Sequence, residues 1–279
     1  MEFQNERNGS KVHKYLLKMI TGLIFLLGTL FIGLNLSQAQ QDNIPELEDG
    51  EEYEERVRHP VSNIILQQRF PDILVLSAAP TENTVALTFD DGPDPRFTPQ
   101  ILDLLAEHDI KATFFVTGAR AEAYPELLQR IVNEGHIVGN HTYGHPNLVE
   151  SSDMDTLETE VLRTEEIINA IVGYRTKLFR APYGFLYDEL LEQLGSMDYT
   201  VVGWSVDSLD WREDPPEDIA YNVISNIHPG AIILMHDGAG DTGDRTNTIE
   251  ALRQIIPNLK DQGLEFETVP DMLDISYQK

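Results

Sequence analysis

Five short stretches of this chain concentrate the residue types that carry out hydrolytic chemistry. In Thr88-Phe89-Asp90-Asp91-Gly92-Pro93, two adjacent carboxylates follow the apolar run Val85-Ala86-Leu87 and stop at a Gly-Pro breaker. Neighbouring carboxylates repel and are costly to desolvate, so Asp90 and Asp91 call for positive partners. His141 and His145 are four residues apart, and one helical turn would bring both imidazoles to the same side. Two histidines and one carboxylate form a ligand set for a catalytic divalent metal with positions left open for water. If one aspartate completes that set, the other is free to act as general base on a water the metal activates. Arg180 supplies a countercharge that can orient the base. His236 is a candidate general acid for a leaving group, its ring oriented by Asp207 or Asp210. Tyr183 and Trp211 offer aromatic faces of the kind that stack on sugar rings.

The elements that must position these residues alternate. Runs rich in β-formers at 85–89, 112–117, 137–139, 177–180, 200–203, 231–235 and 264–268 predict strands. Amphipathic stretches near 98–108, 120–134, 153–172, 185–196, 216–227 and 246–261 predict helices. Asp153 or Asp155 is placed to cap the third helix, and Gly173 lies just past its end. Such alternation predicts parallel strands with crossover helices: an α/β fold, read as a distorted or incomplete (β/α)7 barrel, with an open doubly wound sheet as the alternative. In a β/α barrel the active site lies at the C-terminal ends of the strands. All five stretches fall there, so ionisable residues gather at one rim. His136 and His228 read as structural or turn residues, and Asp94 and Asp103 as loop or helix-surface residues.

With 279 residues, 41% of them hydrophobic, the chain can bury a substantial core. It has no cysteine, which excludes disulfides and thiolate catalysis and leaves His, Asp and Glu as metal ligands. A net charge of −27 argues against nucleic acid or an anionic membrane surface as the main partner. Basic residues Arg7, Lys11, Lys14 and Lys18 precede a segment, Met19 to Gln41, with no charged side chain, and Ser37-Gln38-Ala39 has the small-x-small form of a processing site. Residues 1–39 therefore read as a signal peptide or an uncleaved signal anchor, which predicts an extracellular or cell-surface protein touching the membrane only through that segment. Residues 40–58 read as an acidic linker, 59–83 as an N-terminal extension and 84–279 as the catalytic domain. Oligomeric state is not encoded in any of these features.

In this order and at these intervals, the five stretches resemble the motifs of the polysaccharide deacetylases, the NodB-homology domain of carbohydrate esterase family four. They are TFDDGP at 88–93, HTYGH at 141–145, RAPY at 180–183, DSLDW at 207–211 and LMH at 234–236. The resemblance covers roughly residues 84–275 and has no departure at a catalytic position. It implies a distorted barrel of about seven β/α units. It also implies that Asp90 is the base, that Asp91, His141 and His145 bind the metal, and that Arg180 orients Asp90. The Tyr183 backbone N–H would help hold the oxyanion, Leu234 would border the acetyl methyl pocket, and His236 would protonate the departing amine. Pro182, Trp211 and Asp207 belong with the substrate-binding residues, and Asp210 with the catalytic ones. The implied activity is metal-dependent removal of N-acetyl groups from an extracellular amino-sugar polymer, peptidoglycan N-acetylglucosamine first. Chitin oligomers, acetylxylan or a wall-binding role without turnover are the alternatives. Zinc is the default metal, with cobalt and other divalent ions also accepted by such ligands.

Overall fold

The computed structural model describes residues 62–80, 83–149 and 154–279. The apolar N-terminal segment, the acidic linker and the Asp153 cap lie outside the described residues. Among the described residues, no helix is long and apolar enough to cross a membrane.

Nine strands form one sheet. β1 (Leu74–Val75) follows helix α1 (Asn63–Arg69). Next come β2 (Thr84–Asp90), α2 (Thr98–Glu107) and β3 (Thr113–Val116). The expected helix at 120–134 is two helices, α3 (Gly118–Ala123) and α4 (Pro125–Asn133), because Pro125 has no N–H to continue the ladder. β4 (Ile137–Asn140), α5 (Met154–Val172), β5 (Leu178–Phe179), α6 (Asp188–Ser196) and β6 (Thr200–Val202) follow. The chain closes with β7 (Val206–Asp207), α7 (Pro216–Asn226), β8 (Ile232–His236), α8 (Thr246–Asp261), β9 (Glu265–Phe266) and α9 (Val269–Leu273). All seven predicted strands are present. β1 and β7 are additional, and β1 pairs with β6, so the stretch before residue 84 contributes to the sheet itself.

The strand order is β1-β6-β5-β4-β3-β2-β8-β7, every strand pair is parallel, and β9 joins β2 at its start. That order requires a curled sheet. In a flat sheet β6 and β7 would lie six strand spacings apart, about 29 Å. Only residues 203–205 join them, and so short a link spans at most about 14 Å. The ends of the path must therefore meet, as in a distorted barrel. An antiparallel bridge from Ser77 to Ala231 ties the segment after β1 to the start of β8.

Side chains alternate across the barrel wall, as the two-residue period of a strand demands. Val85, Leu87 and Phe89 of β2 and Ile233 and Met235 of β8 face outward into the large core with the helices. Ala86 and Ile232 point inward, in a smaller cluster with Phe115, Leu178 and Val202. The same period puts Thr88, Asp90, Leu234 and His236 on the inner face, further along the same strands.

Candidate active site

Asp90 is the last residue of β2, and the chain turns there. Asp91 has φ +75°, and its backbone departs from the strand so that the two carboxylates diverge. Asp90 accepts a hydrogen bond from the Arg180 guanidinium at 2.7 Å, while Asp91 Oδ1 lies 3.3 Å from His141 Nε2 and 3.4 Å from His145 Nε2. Adjacent in sequence, they have different nearest partners, although Asp90 Oδ2 also lies 3.8 Å from His141 Nε2.

Arg180 follows β5, three strands from β2 in the sheet, so only the curl of the barrel lets it reach Asp90. Its guanidinium donates to Thr88 Oγ1 (2.8 Å), to the Val202 carbonyl (2.9 Å) and to the Gly203 carbonyl (3.0 Å). It lies over the Phe115 ring and is 1% exposed. Four of its five N–H donors are spent in one fixed plane, a task lysine could not perform.

The two histidines converge by a different route from the helical turn expected of their spacing. Residues 141–147 form no helix. Thr142 and His145 instead take φ +65° and +58°, a conformation that costs non-glycine residues energy and persists only when the surroundings impose it. Asn140 Oδ1 accepts from the Thr142 N–H at 2.9 Å, and Thr142 Oγ1 accepts from the His145 N–H at 3.1 Å. Of the nine non-glycine residues with positive φ among the described residues, five (Asp91, Thr142, His145, Tyr183 and Leu209) belong to this rim.

The donor set fits a divalent metal. One ligand atom from each of Asp91, His141 and His145 lies within 4.8 Å of the others. Asp91 Oδ1 is buried without a hydrogen-bond donor, an expensive arrangement unless a cation fills it. His141 Nδ1–H donates to the Arg180 carbonyl at 2.8 Å, which leaves the Nε2 lone pair facing the set, as a metal-binding histidine requires. Burial alone would raise the Asp91 pKa, but the imidazoles of His145, His141 and His236 hold its carboxyl well below the usual range. Burial lowers His145 to about 4, so its ring is neutral at neutral pH. Burial would also lower His141, but Asp90 and Asp91 outweigh it and raise the pKa; the same two carboxylates would favour a cation in the proton's place.

Across from this set, His236 ends β8. Its Nδ1–H donates to Asp210 Oδ1 at 2.7 Å, and its backbone N–H donates to Asp210 Oδ2 at 2.9 Å. Thr248 and Ser208 hydroxyls hold the same carboxylate at 2.9 Å each. Of the two orienting candidates, the geometry selects Asp210. Asp207 instead accepts from the Leu209 N–H at 2.9 Å and shapes the turn that follows β7. Burial would keep His236 neutral, but Asp210 overrides it and raises the imidazole to about 9. Asp210 falls to about 2 against its own burial, chiefly through His236.

The remaining predicted residues surround these groups. Pro182, Tyr183 and Gly184 form one tight turn after Arg180, with Tyr183 at φ +59° and its ring edge-on to His145 at 4.6 Å. Leu234 is buried on β8 in register with Thr88, and Trp211 is buried in the turn that carries Asp210. Asp94, read from sequence as a loop or helix-surface residue, lies in the loop before α2, where it is 1% exposed and accepts from Arg96 and Arg120 at 2.7 Å each. Its deeper partner, Arg120, lies 26 positions away, which no local pattern reveals. His136 is structural as expected: it is buried, and its Nδ1 accepts from the Ala112 N–H at 3.1 Å. Sequence reasoning missed Thr88, Thr248 and Asp237. A hydroxyl on an apolar strand was the available signal for Thr88, and Asp237 adjoins the LMH stretch.

The sequence profile described as polysaccharide deacetylase matches residues 77–202. A peptidoglycan-N-acetylglucosamine deacetylase of Bacillus cereus is 45% identical over 195 residues, covering 70% of each chain. The chain belongs to the polysaccharide deacetylase family. A chitooligosaccharide deacetylase of Sinorhizobium fredii is 41% identical, over 67% of this chain and 90% of that one. Among solved structures, a peptidoglycan N-acetylglucosamine deacetylase in complex with an N-oxidanyl-benzamide superimposes with a TM-score of 0.73 at 41% identity, covering 76% of this chain and 98% of that one. A Bacillus anthracis protein described as a family pseudoenzyme also matches, with a TM-score of 0.66 at 31% identity, over 72% of this chain and 69% of that one. Polysaccharide deacetylase membership and fold alone are thus shared with a protein described as lacking turnover. In the present polysaccharide deacetylase, the side chains at the rim are what turnover requires.

Proposed function

We propose that this domain removes the acetyl group from N-acetylglucosamine units of peptidoglycan, with a divalent metal, zinc first, held by Asp91, His141 and His145. The observation that carries the reading is an acid–base pair beside a metal-type ligand set: Asp90, braced by Arg180, and His236, braced by Asp210.

When bound, a divalent cation supplies Lewis acidity, lowering the pKa of water and polarising the acetamide carbonyl. Asp90 takes a proton from the attacking water as the water oxygen bonds to the carbonyl carbon. Arg180, itself held by the Thr88 hydroxyl, keeps the carboxylate aimed. His236, protonated at neutral pH, gives its proton to the amide nitrogen as the carbon–nitrogen bond breaks, and acetate and a free amine leave. Asp210 holds the imidazolium in place and keeps it charged until that moment. Leu234 offers an apolar wall suited to the acetyl methyl, and the Tyr183 turn a backbone N–H for the oxyanion. Trp211 and Pro182 add apolar surface for the sugar.

Peptidoglycan is favoured because relatives at 45% and 40% identity carry that name. Chitin oligomers are the second reading, supported by the 41% identical chitooligosaccharide deacetylase. Residues 1–39 support a place at the cell surface, where either polymer would be met. Acetate release from peptidoglycan, chitin oligomers and acetylxylan, with and without a chelator, tests the reading. Release from peptidoglycan that a chelator abolishes is expected. Release from acetylxylan alone, or none from any polymer, would overturn it.

A further inference from the structure

Glu160 lies on α5, a helix that contributes no residue to the rim chemistry, yet its carboxylate reaches the loop between the two metal-type histidines. Oε2 accepts from two successive backbone N–H groups, Tyr143 at 2.9 Å and Gly144 at 2.7 Å. Consecutive N–H groups converging on one point form an anion-binding concavity, and a carboxylate there makes charge-assisted bonds. The loop needs such a hold. Its φ values at Thr142 and His145 are unfavourable, and four residues must turn back far enough for His141 and His145 to meet one Asp91 oxygen. The opposite side of the loop is fixed by backbone alone: Gly118 N–H donates to the Thr142 carbonyl at 2.9 Å and Ala119 N–H to the Tyr143 carbonyl at 3.1 Å. Gly118 has no room for a side chain, since an added Cβ would lie 2.5 Å from Thr164 Oγ1 and 2.8 Å from the Tyr143 ring. The loop is therefore gripped from both sides, and Glu160 is the side chain that reaches it from α5.

We propose that Glu160 is a positioning residue that sets the separation of His141 and His145 and thereby the metal affinity of the site. The inference rests on reading Asp91, His141 and His145 as metal ligands. Groups that fix ligand orientation from outside the ligand set typically govern metal affinity by 10–100-fold.

The test titrates zinc against a competing chromophoric chelator, using the full chain as wild type, Glu160→Ala, Glu160→Gln and the exposed helix control Glu158→Ala. Thermal unfolding of each metal-free protein is measured in parallel. The expected result is a zinc Kd about 10–100-fold weaker in Glu160→Ala. Glu160→Gln, which keeps an acceptor oxygen, should fall between it and wild type, and Glu158→Ala should match wild type. Formate added to Glu160→Ala should recover part of the affinity by occupying the vacated concavity. A wild-type Kd in Glu160→Ala would overturn the proposal while leaving the metal reading intact. If Glu160→Ala does not fold, a wild-type Kd in Glu160→Gln would overturn it. A wild type that takes up no zinc would overturn the metal reading, and this proposal with it.

Discussion

Asp90 and His236 are register partners on adjacent parallel strands, β2 and β8, with their side chains on the same inner face. Adjacent strands are about 4.8 Å apart, so one strand pair sets base and acid side by side. Each is braced by a buried group of opposite charge at 2.7 Å, Arg180 for Asp90 and Asp210 for His236.

Replacing the base should separate chemistry from metal binding. Asp90→Asn preserves shape but cannot accept a proton, so acetate release should fall by about 10²–10⁴-fold. Zinc uptake should stay as in wild type, because Asp91 and both histidines remain. Parallel acetate assays and metal analysis check both halves, and full activity in Asp90→Asn would refute the base assignment.

The acid should be visible in the pH profile. A group that must donate a proton loses activity above its pKa, and His236 is raised to about 9. Activity against pH should therefore decline on the alkaline side near that value. Asp210→Asn removes the charge responsible, so the decline should move toward the ordinary histidine value of about 6.5. The paired contribution to stability has the same sign logic. His236 stabilises the fold fully below about 6.5, and that contribution is lost as pH rises through about 9. Asp210 contributes above the ordinary aspartate value of about 3.9, and its contribution is lost as pH falls through about 2.

Arg180 should matter for stability as well as rate. Arg180→Ala leaves Asp90 buried without its countercharge, which costs about 3–5 kcal/mol. Adding Asp90→Asn to that variant removes the stranded charge and should recover part of the loss. Urea unfolding of the two single variants and the double variant measures the coupling, and strict additivity would count against it.

Asp237 should impose a pH dependence of its own. It is fully buried, accepts from Thr98 Oγ1 at 2.5 Å, and is raised to about 7, chiefly by burial. Between about pH 4 and 7 the folded protein holds a proton there that the unfolded chain releases, so this group lowers stability as pH rises, by at most about 1.4 kcal/mol per pH unit. Asp237→Asn should flatten that slope in urea unfolding across pH 4–8.

How much of this was legible in the sequence depends on how local each signal is. Asp90, Arg180 and His236 stood out because each ends or directly follows a β-rich run. The long strands and helices showed their periods, but β1 and β7, of two residues each, are too short to show any alternation. Spacing brought His141 and His145 together by the wrong geometry. The turn that does so depends on Asn140, Gly118 and Glu160, and Glu160 is one acid among several along α5. The choice between Asp207 and Asp210 as partner of His236 also needed coordinates, since both lie in the same short stretch. Asp94 lies in a loop as read, but its burial was not legible, because it depends on Arg120, a partner that only the fold brings near.

The link of residues 203–205 closes the barrel, and Arg180 takes two carbonyls at that seam, Val202 and Gly203, while holding Asp90 and Thr88 on β2. One side chain thus joins the last closure of the sheet to the aim of the base. A chain with an open seam would have every catalytic residue and no aligned Asp90. Acetate release should therefore report on an intact barrel seam rather than on secondary structure alone.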